Sequence, residues 1–183
     1  MNIFLSPHND DEVLFGAYTC LRYRPLVIVC LRSFVEAGWP NGPTYETREA
    51  ETKAACNVLG CRYEQWEYPD NNPPWDDVRS ELEALNTLHA PERVWAPLPE
   101  VGGKDHHNSI GEMSCEVFPN VTFYSTYTNP GGKTTTGELV TPEPGWEAAK
   151  RQAMSIYVSQ ATHPSTQASF NEWPIDEYIT EEK

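Results

Sequence analysis

"NIFLSPHNDDEVLFG", residues 2–16, decides how the rest of the chain is read. Its apolar opening, "NIFLS" (2–6), is a short strand candidate, and from Val13 onward apolar residues recur at helical spacing. Between the two, positions 8–12 hold a histidine, an asparagine, two aspartates and a glutamate in succession. A strand that passes through a polar turn into a helix is the first half of a βαβ unit.

The alternation continues downstream. "EVLFGAYTCLRY" (12–23) reads as one helix, and "PLVIVCLRS" (25–33) as a strand whose unbroken apolar run suits a parallel sheet covered on both faces. "TYETREAETKAACNVLG" (44–60) reads as a helix with Thr44 as N-cap and Gly60 as its stop. Residues 62–68 fit a strand, Val78, Leu82 and Leu85 mark a helix, and residues 93–99 fit a fourth strand. A loop, "EVGGKDHHNS", then leads to the helical "IGEMSCEV" (110–117) and the strand 121–126. Residues 134–141 fit a further strand or half a hairpin, and Trp146, Ala149, Ala153 and Ile156 share one face of a last helix. The acidic end, "IDEYITEEK", is expected to be a solvated tail or loosely packed edge. The pattern predicts one α/β domain over 1–183, its core in about 2–160 and the rest a C-terminal extension.

Composition narrows the function classes. The length of 183 residues suits one sizeable core. Thirteen Lys and Arg against 27 Asp and Glu give a net charge of −14, which argues against nonspecific grip on a nucleic-acid backbone or an anionic membrane. No apolar run approaches the roughly 20 residues that span a bilayer. Five cysteines without a CxxC pair read as reduced thiols, and the expected location is cytoplasmic.

In a parallel sheet, ligands bind beyond the carboxyl ends of the strands. That rule puts loop 7–11, after the first strand, and loop 100–108, after the fourth, on one edge. His8 and Asp11, three apart, fall on one side of a helical turn and supply two of the three protein ligands of an open catalytic zinc site. His106 or His107 is the source of the third, and Asp10 has the placement of a general base. A plainer reading stands beside it: Asp10, Asp11 and Glu12 meet a helix dipole and Asn9 caps the helix.

"SPHNDDEVLFGA" resembles the P/A-H-P-D-D-E segment of the LmbE-like, or PIG-L-type, N-acetylglucosaminyl deacetylases. "TREAETKAACNVLG", "YPDNN", "GGKDHHNSIG" and "WEAAKRQAMSIYVSQ" resemble that family's R-x-x-E helix, aspartate-bearing loop, G-H-x-x-H-N-x-x-G loop and K…Y-x-S-Q helix, in family order, over residues 2 to about 160. The resemblance implies a Rossmann-like three-layer α/β/α sandwich with a mostly parallel sheet. It also implies a zinc-dependent N-deacetylase acting on an N-acetylglucosamine-like sugar or its conjugate. His8, Asp11 and His107 would hold Zn2+, Asp10 would be the base toward the metal-activated water, and Arg48 and Asp70 would bind substrate. Arg48 otherwise reads as a surface arginine paired with Glu51.

Two departures stand out. Asn9 replaces the usual proline of a turn, and Lys104 replaces a histidine thought to steady the oxyanion or leaving group. Lys104, His106 or neither takes over that task. Sliding the loop by one makes His106 the ligand, at the expense of the Asn108 and Gly111 match that favours His107. The chain is compact for the family, which leaves a shallow pocket or one completed by a second copy. His89 reads as meeting a helix C-terminus, and His163 lies in a loop. Trp39, Trp75, Tyr124 and Tyr127 are packing residues or platforms for a sugar ring. The rival functions are a catalytically altered metal- or sugar-binding member, another metallohydrolase such as a phosphoesterase, and an interaction domain without metal.

Overall fold

The computed structural model describes residues 1–33, 42–128, 132–163 and 166–181. Its elements in chain order are β1 (Asn2–Ser6), α1 (Asp11–Leu14), α2 (Ala17–Tyr23), β2 (Leu26–Val29), α3 (Tyr45–Leu59), β3 (Arg62–Gln65), α4 (Trp75–His89) and β4 (Arg93–Pro97). They continue with α5 (Asp105–Val117), β5 (Val121–Tyr124), β6 (Glu138–Leu139), α6 (Trp146–Ile156), α7 (Val158–Ala161), α8 (Gln167–Asn171) and β7 (Tyr178–Glu181). One sheet runs β3-β2-β1-β4-β5-β7-β6, parallel from β3 to β5 and antiparallel at β7.

Alternation along β1 divides the core into two layers. Ile3 and Leu5 pack with Val78, Leu82 and Leu85 of α4 and Ile110 and Met113 of α5. Phe4 faces the other side, toward Val13 and Phe15, Ala55 and Leu59 of α3, and Ala153 and Tyr157. Helices on both faces of a mostly parallel sheet make the three-layer α/β/α sandwich that the sequence implies. The chain leaves β1 toward β2 and β3, then crosses back to β4 and β5. The β1–β4 boundary is therefore a topological switch point, where the loops leaving two adjacent strands diverge and open a crevice.

α3 begins and ends where its caps predict: Thr44 accepts from the Thr47 N–H, and Gly60 takes φ 73°. The single helix expected over 12–23 is instead broken at Phe15 and Gly16. At the break the backbone passes close to Phe4, and a Cβ on Gly16 would lie 2.2 Å from its ring, so only glycine fits there. β2 is shorter than its apolar run, and just past its end the Cys30 and Leu31 N–H groups still donate to the carbonyls of Ser6 and Pro7. Residues 178–181 of the acidic end form no tail. β7 sits inside the sheet between β5 and β6, and Glu177 just before it is buried.

Gly111 lets α5 rest on the end of β4. A Cβ there would meet the Pro97 carbonyl oxygen at 2.2 Å and Pro99 at 2.8 Å. Backbone cannot yield as a side-chain tip does, so Gly111→Ala is expected to lower unfolding free energy by about 1–3 kcal/mol. A urea unfolding curve with an unchanged midpoint would contradict it.

Candidate metal centre

The turn after β1 is held from several sides. The Asn9 amide donates to Thr52 Oγ1 and Gln65 Oε1, both at 2.8 Å, so the residue in the proline position ties the loop to α3 and β3. It is not the helix cap: Asp10 occupies that position, without a side-chain cap bond. The acidic side chains also do something other than cap. Asp11 Oδ2 accepts from the His8 N–H at 2.8 Å, and Glu12 Oε2 from the Asp10 N–H at 3.2 Å.

The opposing loop, after β4, is clamped by Asn108, whose amide exchanges two bonds with the backbone of Glu100 (3.0 and 2.9 Å). α5 starts earlier than its apolar pattern indicates, at Asp105, so His106 and His107 are successive residues of its first turn. Successive helical side chains point about 100° apart. The two histidines accordingly part company. His107 is fully buried and turns its Nε2 to His8 Nδ1 at 3.3 Å and to Asp11 Oδ2 at 3.3 Å. His106 is half-buried and sets its Nδ1 2.8 Å from the other nitrogen of His8, Nε2.

His8 Nδ1 lies 3.4 Å from Asp11 Oδ2, which closes a triangle of ligand-type atoms. Zinc–ligand bonds of about 2.0–2.1 Å in tetrahedral geometry place ligand atoms about 3.3–3.4 Å apart. The donor set is also of the right kind, two imidazole nitrogens and one carboxylate oxygen, all buried. His106 meets the far side of the His8 ring and lies outside the triangle.

The electrostatics follow from burial. Burial and then the Lys104 charge push the His8 pKa down to about 3. Burial alone would raise Asp11, but the His107 and His8 rings hold it well below the usual carboxylate range. Asp10 is driven well above that range by burial, with Arg48 opposing. Burial lifts Glu12 to about 7 against the Tyr157 hydrogen bond. His106 is lowered by burial and by Lys104.

Arg48 is not paired with Glu51. Its Nη2 donates to the Asn9 carbonyl at 2.7 Å and meets Asp10 Oδ2 at 3.3 Å, while Glu51 accepts from Ser159. Asp70, in the turn after β3, is half-buried, and its charge acts on His106. Lys104 is half-buried with Nζ 6.0 Å from the Tyr127 ring centre, and its charge reaches both His8 and Asp10.

The aromatic candidates separate clearly. Tyr124 is a core residue, stacked on Phe4 and donating to the Leu5 carbonyl. Trp75 flanks His106 at 6.0 Å, and Tyr127 meets the His107 ring at 5.2 Å. Trp173, which sequence reasoning missed, extends the Tyr127 wall at 5.3 Å. Trp39 lies outside the described residues. His89 is in the last turn of α4 and His163 follows α7, neither in the triangle.

Sequence reasoning also missed Glu12 and Tyr157 as partners, although both stand in quoted motifs. Among the described residues, no helix is long and apolar enough to cross a membrane.

A family model described as PIG-L, GlcNAc-PI de-N-acetylase, matches residues 3–118. No curated protein matches the chain. Similar solved structures include GalB, the 4-carboxy-2-hydroxymuconate hydratase from Pseudomonas putida KT2440, with TM-score 0.73 and 14% identity over 98% of this chain and 95% of that one. The A40926 pseudoaglycone deacetylase Dbv21 gives 0.71 and 15% over 98% and 95%. The zinc inhibited form of teicoplanin deacetylase Orf2 gives 0.70 and 13% over 100% and 98%. At these identities the likeness is one of fold, and the fold carries more than one chemistry.

Proposed function

The chain belongs to the PIG-L, or GlcNAc-PI de-N-acetylase, family, and from that premise we propose that it is a zinc-dependent hydrolase that removes an N-acetyl group from an N-acetylglucosamine-like amino sugar or its conjugate. The observation that carries the reading is the triangle of His8 Nδ1, Asp11 Oδ2 and His107 Nε2, with sides of 3.3–3.4 Å. Those three residues would hold the zinc. When bound, the ion supplies Lewis-acid polarisation of the acyl oxygen and a lower pKa for water, toward about 7.

The chain's own residues do the rest. Asp10, adjacent in sequence but outside the triangle, takes the proton of the attacking water at its carboxylate. Arg48 steadies that carboxylate from the side and, with Asp70, whose charge reaches His106, positions the substrate. Lys104, whose charge reaches the same place, supports the oxyanion as a cation. His106 holds His8 in the orientation that leaves Nδ1 turned to the triangle. Trp75 beside His106, and Tyr127 with Trp173 beside His107, offer apolar faces to a sugar ring.

Elemental analysis of wild type and His107→Ala, purified alongside each other, tests the reading. About one zinc per wild-type chain, lost in the variant, with acetate released from N-acetylated sugars by the wild type alone, is the expected result. Zinc-free wild type that cannot be reloaded would remove it. Lys104 favours one second reading, a metal-binding member without this activity, which predicts the same zinc and no acetate from any acetamide.

A further inference from the structure

Asp10 has φ 125°, a backbone conformation that side chains other than glycine rarely adopt. Such strain costs on the order of 1–3 kcal/mol and persists only where the surroundings over-determine it. The restraints here are identifiable. The Asp10 N–H donates to Glu12 Oε2 at 3.2 Å, and the Asp10 carbonyl accepts from Val13 and Leu14 at 3.0 Å each. Arg48 pulls on the Asn9 carbonyl and on the Asp10 carboxylate.

Glu12 is the restraint that reaches farthest. Its side chain is wholly buried, with 0% of the residue exposed, and its two oxygens are divided between two tasks. Oε2 faces the Asp10 N–H, with the Ser6 hydroxyl at 3.4 Å, and Oε1 accepts from the hydroxyl of Tyr157. Tyr157 is itself fully buried at the α6–α7 junction. One phenol from a distant helix junction thus holds the carboxylate that sits under Asp10. It lies outside residues 3–118, where the family model matches.

We propose that Tyr157 is a positioning residue for Asp10: through Glu12 it fixes the strained turn that aims the Asp10 carboxylate. The catalytic side of this inference rests on the function proposed above, and its structural side does not. Without the phenol, Glu12 Oε1 is buried and unpartnered. A buried carboxylate in that state turns to the nearest donor it can reach. Rotation toward another partner releases Oε2 from the Asp10 N–H, and the strained residue relaxes first because it stores the strain.

Tyr157→Phe in the full chain, zinc-loaded, separates this from general weakening. The expected result is amide hydrogen exchange about tenfold faster at Asp10, with exchange at the β1 and β2 core amides unchanged. Turnover should fall about tenfold with KM and zinc content as in wild type. Glu12→Gln, which breaks the link from its other end, should speed exchange at Asp10 as well. Unchanged exchange at Asp10 in Tyr157→Phe, or an equal rise across the core, would overturn the proposal. If wild type deacetylates nothing, the proposed function falls, and the exchange measurement still decides whether Tyr157 holds the turn.

Discussion

Asp10→Asn is expected to retain its zinc and to lose turnover by about 10²–10⁴-fold. The substitution suits the site because it changes the proton chemistry and little else. Asparagine is among the few residues that tolerate positive φ, so the backbone at φ 125° survives it. The side chain keeps its size and an oxygen for Arg48 Nη2, now at 3.3 Å from Asp10 Oδ2. Asp10 contributes nothing to the His8–Asp11–His107 triangle, so zinc per chain should match wild type. What disappears is a carboxylate able to accept a proton. Steady-state rates at equal zinc occupancy check this, and wild-type turnover in Asp10→Asn would take Asp10 out of its assigned role.

The largest expected effect on stability lies elsewhere. Lys150 Nζ sits 2.7 Å from Glu177 Oε1, and neither side chain is exposed. The Tyr18 N–H donates to both Glu177 oxygens at 3.0 Å, and Lys150 also donates to the Leu14 carbonyl at 3.1 Å. The pair therefore pins the broken segment between α1 and α2 to α6 and to the start of β7. Glu177→Ala leaves a buried ammonium uncompensated, and unfolding free energy should drop by about 3–5 kcal/mol. Replacing both partners, as Lys150→Met with Glu177→Leu, removes the stranded charge and should recover most of the loss. Urea unfolding of the three proteins decides it. A Glu177→Ala midpoint equal to wild type would show that the pair carries no stability.

What was legible in the sequence was local. Thr44 and Gly60 bound α3 because capping depends only on neighbouring residues. The strand–helix alternation was enough to place loops 7–11 and 100–108 on one edge, since parallel topology forces it. The rest depended on contacts that no spacing reveals. The need for glycine at position 16 comes from Phe4, twelve positions earlier and in another element. β7 looked like a tail because its strand character is conferred by β5 and β6 on either side. The different orientations of His106 and His107 follow from α5 starting at Asp105, a boundary that its apolar residues do not mark. Tyr157 stood in a motif, but its partner Glu12 lies 145 positions away.

The insertion of β7 between β5 and β6 also governs the order in which the sheet can be built. β6 is made long before β7, yet it pairs with β7 and not with β5. On a growing polypeptide, residues 138–139 must wait without a ladder partner until 178–181 have been synthesised. Through that interval the edge of β5 stays open, a template for any passing strand. Closing that edge also carries Glu177, one residue before β7, to Lys150, so the ionic lock and the finished sheet arrive in one event.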